Sequence, residues 1–117
     1  MAVKKLVYGL TLALAMAGMA QAEVVHKVGK VTWHPAGYVG KDVAMVGYVL
    51  VSKPDYILFS DEAKGAVSRH DLPVTGAGID TMKHGLKYLL HGRFVKGQTF
   101  ANGSPYHLEL SALPAVK

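Results

Sequence analysis

Two stretches of this chain repeat one pattern of glycine and apolar residues, which limits the possible folds more than any other feature. Gly40–Val51 and Gly85–Phe94 each contain two glycines that are seven positions apart. Apolar residues alternate around the second glycine, Gly47 or Gly92, as expected of a strand with one face in a core. A glycine inside a strand permits the bulge or bend that a closed sheet needs. The repeat therefore predicts two strands of a small barrel whose inward residues correspond in pairs, Val43 with Tyr88, Met45 with Leu90 and Val49 with Phe94.

Turn residues divide the rest of the chain into three more strands. The five predicted strands are Asp42 to Val51, Tyr56 to Ser60, Ala66 to His70, Lys87 to Val95 and Tyr106 to Leu110. One helical turn is expected over Ile79 to His84, between the third and fourth strands. It is too short to be stable alone and would have to pack against the sheet. This order indicates an all-β, five-stranded Greek-key barrel, since five strands are few for a two-sheet sandwich.

The first 22 residues have the composition of a secretory signal peptide. Lys4 and Lys5 precede an uncharged apolar run, and Ala20-Gln21-Ala22 is a small-x-small cleavage site. The run is shorter than the roughly 20 apolar residues of a relaxed membrane span. We therefore expect cleavage before Glu23 and a periplasmic protein with no membrane span, with secretion or an uncleaved anchor as alternatives. Residues 23–39 would form an N-terminal arm or lead-in strand, and residues 40–117 the barrel.

Composition limits how the mature chain is stabilised and what it can bind. The chain has no cysteine, so it has neither disulfides nor thiolate metal sites. Without Lys4 and Lys5 there are 11 basic and 8 acidic residues, a net charge of about +3. This mild positive charge is compatible with an anionic partner but does not require one. We expect a monomer stabilised by packing alone.

The strand motifs resemble those of a known family. The run Val43-x-Met45-x-Gly47-x-Val49 is followed by Tyr56-x-x-Phe59-x-Asp61, Gly65-x-Val67, Gly92 and Leu108-Glu109-Leu110. This pattern, from about Gly40 to Leu113, resembles the exported bacterial OB-fold family of small periplasmic proteins and the anticodon-binding-like OB domain. The resemblance implies an OB-fold barrel that binds a small ligand, peptide or envelope component, in an envelope-associated or stress-tolerance role.

An OB-fold usually binds across its second and third strands and the loops beside them. The candidate ligand-binding residues on this basis are Lys53, Tyr56, Leu58, Arg69, His70, His91, Arg93 and Lys96. Aromatic rings beside Arg and Lys also suit single-stranded nucleic acid, which is the alternative partner. A purely structural interpretation is that Tyr56 packs at the barrel rim and Arg69 is a solvated strand residue.

Sequence motifs for catalysis or metal binding are missing. The six histidines lack the spacing of a zinc motif, although His107 and Glu109 would share a strand face. The sequence has no Gly-x-Ser-x-Gly motif and no cysteine nucleophile, and Asp61 and Glu62 are expected to face solvent in a loop. We therefore expect no enzyme activity, cofactor or metal. Trp33 is expected to cap a barrel end, with a binding role as the alternative, while Phe59, Tyr88 and Phe94 fill the core.

Overall fold

The computed structural model describes residues 23–117, so the predicted signal peptide lies outside the described residues. Seven strands are present in this part of the chain, together with one short helix, α1, over Val28–Thr32. Two three-residue 3₁₀ turns cover Pro35–Gly37 and Ile79–Thr81. The strands are β1 Val25–Lys27, β2 Asp42–Ser52, β3 Ile57–Ser60, β4 Leu72–Thr75, β5 Lys87–Lys96, β6 Tyr106–Leu110 and β7 Ala115–Val116.

Five of these strands close into a barrel. The pairing runs from β2 through β3, β4 and β6 to β5, and β5 pairs back onto β2. All of these pairs are antiparallel except β4 with β6, which is parallel. The short strands β1 and β7 extend the sheet beside β2 and β5. The predicted all-β barrel is confirmed, and its strand order is that of an OB-fold.

Gly47 and Gly92 mark the points where the two long strands change partners. Strand β2 pairs with β5 up to Tyr48 and with β3 from Tyr48 onward. Strand β5 changes from β2 to β6 around Gly92. An added Cβ would lie 2.5 Å from the carbonyl oxygen of Ser60 at Gly47, and 2.4 Å from that of Glu109 at Gly92. Only glycine therefore allows these backbones to approach so closely. The repeat predicts a bulge or bend at these glycines, and the structure shows close approach to the neighbouring strand.

The barrel interior contains the predicted inward residues. Phe59, Phe94, Met45, Leu90 and Val49 have no exposed surface, and Val43 and Tyr88 are also buried. They form one apolar cluster, which α1 and the turn after β4 complete with Val28, Val31, Ile79 and Met82. The short helix predicted over Ile79 to His84 is thus a single 3₁₀ turn, Ile79–Thr81, with one core residue, and Met82 follows it into the core.

The predicted third strand, Ala66 to His70, is wrong. These residues form a loop, because the Asp71 side chain accepts a hydrogen bond from the Ser68 backbone N–H at 2.8 Å and Asp71 donates its own N–H to the Ser68 carbonyl at 3.1 Å. The third barrel strand is instead β4, which contains Pro73. Pairing of β4 with β6 begins only at Val74, so Pro73 lies near a strand start, where a missing N–H is tolerated.

Candidate ligand-binding cleft

Helix α1 is fixed to the barrel by the carboxylate of Asp61, which follows β3. The backbone N–H groups of Val28 and Gly29 donate to its two oxygens at 2.6 and 2.9 Å. These are the first N–H groups of the helix, which have no partner within it. Asp61 is exposed in the loop after β3, as predicted, and this contact with the helix is an addition that the prediction does not include. Because α1 buries Val28 and Val31, the residue that follows the helix, Trp33, is held on the outside of the barrel.

The indole ring of Trp33 stacks on the imidazole ring of His70 and remains exposed to solvent. The two ring centroids are 3.6 Å apart and the ring planes differ by 12°. The residue is 63% exposed, so the expectation that Trp33 caps a barrel end is wrong. It stays outside because Val28 and Val31 supply the apolar contacts of this segment. An exposed tryptophan held against a second ring presents a preformed stacking surface.

The loop that carries His70 is held by a second loop, residues 97–105. The side-chain amide of Asn102 donates to the carbonyls of Ser68 and Asp71, each at 2.9 Å. Within the first loop, the His70 N–H donates to the Ser68 hydroxyl at 3.1 Å. These bonds fix Arg69 and His70 at a turn between β3 and β4.

The Trp33–His70 stack separates two clefts of opposite character. The first has a volume of about 290 Å³ and is lined by Asp61, Glu62 and Asp71 as well as Lys64. The second, which we call the basic cleft, has a volume of about 350 Å³ and is lined by Thr32, Trp33, Pro35, Arg69, His70, Pro105 and Tyr106. No carboxylate is among these lining residues. The stack therefore divides an acidic surface from one that carries the guanidinium of Arg69.

Tyr106 forms a second aromatic surface in the basic cleft. Its ring lies nearly parallel to that of the buried Phe94, with centroids 5.3 Å apart. The Lys96 ammonium is 6.0 Å from the Tyr106 centroid, at the outer limit of a cation–π contact. Thr32 is 9% exposed, and its buried hydroxyl has no hydrogen-bond partner in the described part of the chain. The cleft thus combines two aromatic rings with positive charge, while the Thr32 hydroxyl lies beneath its surface.

The face predicted from strands two and three is partly covered. Tyr56 meets the ring of Phe100 edge to face, with centroids 5.0 Å apart, and Phe100 also packs beside His107 at 5.2 Å. Phe100 belongs to the 97–105 loop and is buried, as is the predicted ligand residue Leu58. This loop therefore occupies space between Tyr56 and His107 that a ligand on that face would need.

The other predicted site residues lie in three places. Lys53 is exposed in the turn after β2 and does not line the basic cleft. His91 contacts Glu23 at 2.7 Å in a separate cleft. Arg93 donates to the Gly40 carbonyl at 3.0 Å. Arg69 and His70 are brought together in the basic cleft, with Lys96 beside it.

Sequence reasoning missed Trp33, Thr32 and Tyr106 as members of the site. Trp33 is the only tryptophan, and its position next to His34-Pro35 in a polar arm was the one available signal. Thr32 carries no signal, because its burial depends on where α1 packs.

Three further features of residues 23–117 concern metal binding and membrane insertion. No group of three or more His, Asp or Glu side chains in this range could hold a metal ion. His107 and Glu109 do share a strand face and contact each other at 3.1 Å. No helix within the same range is long and apolar enough to cross a membrane.

The structure is similar to solved OB-fold proteins, although the sequence matches no family model and no curated protein. An OBody bound to hen egg-white lysozyme aligns with a TM-score of 0.58 and 14% identity, over 83% of this chain and 96% of that one. A second OBody bound to the same protein aligns with a TM-score of 0.56 and 13% identity, over 78% of this chain and 90% of that one. A protein described as an aspartyl-tRNA synthetase from Leishmania major Friedlin aligns with a TM-score of 0.60 and 11% identity, over 92% of this chain but 22% of the synthetase. At these identities the likeness shows the OB-fold alone.

Proposed function

We propose that this protein is a periplasmic binding module without catalytic activity, and that its ligand occupies the basic cleft. The observation that carries the proposal is Trp33, which is 63% exposed yet held in one orientation by its stack on His70. Preformed clefts with aromatic walls and a few polar groups are typical of small-molecule sites. OBodies that share the fold are bound to a protein, lysozyme, which supports the use of this scaffold for binding.

A small ligand, peptide or envelope component fits this cleft better than the covered face beside Tyr56. Phe100 fills the space at Tyr56, whereas Arg69 in the basic cleft is exposed. The role would be envelope-associated or in stress tolerance, as the resemblance to small periplasmic OB-fold proteins implies.

A ligand screen on the isotope-labelled mature protein tests this proposal. The chain has one tryptophan, so a single indole N–H resonance reports on Trp33. We expect ligands from a mixed library of small polar, charged and aromatic molecules to shift this resonance together with the amides of Arg69 and His70. Binding should be lost in Trp33→Leu. Ligands that instead shift Tyr56 and Phe100 would contradict the assignment of the cleft.

Single-stranded nucleic acid is the second candidate partner. The combination of Trp33 and Tyr106 with Arg69 and Lys96 favours it, because stacking and phosphate contacts bind single strands. Titration with labelled oligonucleotides at two salt concentrations tests it. Binding that weakens steeply with salt and is lost in Arg69→Ala supports this candidate, and no binding at low salt excludes it.

Export is a separate part of the proposal. Lys4, Lys5 and the Ala20-Gln21-Ala22 site support cleavage before Glu23. Cell fractionation followed by N-terminal sequencing should find a protein that begins at Glu23 in the periplasmic fraction. The mature protein should be a monomer by light scattering.

A further inference from the structure

We propose that the basic cleft binds a flat aromatic ring joined to a carboxylate or phosphate group. This inference rests on the proposed function and names the ligand chemistry of the same cleft. It follows from three properties of the lining residues: their aromatic surfaces, their charge and the volume that they enclose.

The aromatic surfaces favour a flat ring. Trp33 and Tyr106 both line the cleft, and each is backed by another ring, His70 at 3.6 Å and Phe94 at 5.3 Å. Backing rings limit the rotation of both side chains, so little conformational freedom is lost when a ligand stacks on them. A planar ring gains more from such surfaces than an aliphatic group of similar size does.

The charge of the lining favours an anion. Arg69 is exposed at the cleft, and a guanidinium can donate two parallel hydrogen bonds to a carboxylate or a phosphate. Lys96 lies 6.0 Å from the Tyr106 centroid and adds a second positive charge. The carboxylates of Asp61, Glu62 and Asp71 all line the cleft on the other side of the Trp33–His70 stack. A cation would therefore prefer that side, and an anion the basic cleft.

The volume sets the size of the ligand. About 350 Å³ is near the lower end of the roughly 300–1,000 Å³ range of small-molecule sites. One ring system with its acidic group fits this space, and a longer chain would have to extend onto the surface.

Matched probes test the ligand class by the indole N–H resonance of Trp33. For the phosphate source the probes are adenosine 5′-monophosphate, adenosine and ribose 5-phosphate. For the carboxylate source they are phenylacetate, phenylacetamide and cyclohexylacetate. We expect at least one aromatic anion to bind about tenfold or more tightly than its neutral partner and its non-aromatic partner, since a charge-assisted contact and a stack are both lost. The source whose anion binds more tightly identifies the acidic group.

Two variants assign the effect to residues. Arg69→Gln should remove the preference for the anion, whereas the control Lys64→Gln, a cation at the acidic cleft, should keep it.

Failure of the proposed ligand class can be distinguished from failure of the proposed function. If neutral rings or non-aromatic anions shift Trp33 as tightly as the aromatic anion, the ligand class is overturned while the cleft remains the binding site. If none of the six probes shifts Trp33, the ligand class is also overturned, and the mixed library decides the proposed function separately.

Discussion

The indole ring of Trp33 lies parallel to the imidazole ring of His70, with 3.6 Å between the ring centroids. Trp33 follows α1, whereas His70 belongs to the loop between β3 and β4. Neither residue is part of the barrel wall, so the stack joins two segments that the barrel only supports. Each segment has its own anchor, Asp61 for the helix and Asn102 for the loop.

Removal of His70 should expose the second face of Trp33. We expect His70→Ala to shift tryptophan emission to longer wavelength and to increase quenching by acrylamide, with a stability loss of about 1 kcal/mol or less. Fluorescence and urea unfolding measure both effects. His34→Ala is the control, because His34 is exposed and directly follows Trp33 but is not stacked on it. Equal spectra for His70→Ala and the natural protein would contradict the stack.

The Asp61 carboxylate should be needed to hold α1. Asp61→Ala removes the acceptor of the Val28 and Gly29 N–H groups, and we expect a loss of about 1 kcal/mol in the free energy of unfolding. Trp33 emission should change as well, because the helix positions this residue. Glu62→Ala is the matched control and should lie within about 0.5 kcal/mol of the natural protein. Similar losses of stability for both variants would show that the Asp61 carboxylate does not hold α1.

The two partner-switching glycines should not tolerate a methyl group. In Gly47→Ala and Gly92→Ala the new Cβ would overlap a backbone carbonyl of the neighbouring strand, and overpacking typically costs about 1–3 kcal/mol. Thermal unfolding measures the loss. Gly97→Ala is the control, because nothing lies within 4 Å of its added Cβ. If all three variants unfold at the same temperature, close approach at Gly47 and Gly92 is not what requires glycine.

Phe100 should hold the 97–105 loop over the barrel. Phe100→Ala removes a buried ring that contacts Tyr56 and His107, and we expect a loss of about 3 kcal/mol. Amide hydrogen exchange should become faster across the loop and at Ser68 and Asp71, whose carbonyls accept from Asn102. Gln98→Ala, an exposed change in the same loop, should leave exchange as it was. Unchanged exchange in Phe100→Ala would show that the loop is held by other contacts.

The barrel was predictable from the sequence because its constraints are local. Alternation and the paired glycines are visible within about ten residues, and β2, β3, β5 and β6 lie where these patterns place them. The third strand was missed because Pro73 indicates a break, while Ala66 to His70 contains no Gly, Pro, Asn or Asp. The segment from Ala66 to His70 forms a loop because of hydrogen bonds between Ser68 and Asp71, and a pattern of residue types does not show these bonds.

The site was predictable only in part, because it depends on contacts between distant segments. Arg69 and His70 were assigned to a binding face, and they do lie at a cleft, although on a loop rather than a strand. The placement of Trp33 and Thr32 follows from a five-residue helix, which is too short to show a helical period. That helix is held by Asp61, which is far away in sequence, so no local pattern predicts the helix.

Whether an aromatic anion binds in the basic cleft is best tested by a structure of the complex with adenosine 5′-monophosphate or phenylacetate, whichever binds more tightly. We expect the aromatic ring to lie in the basic cleft against Trp33 or Tyr106, with its acidic group on Arg69. A ligand bound instead between Tyr56 and His107, with Phe100 displaced, would contradict it.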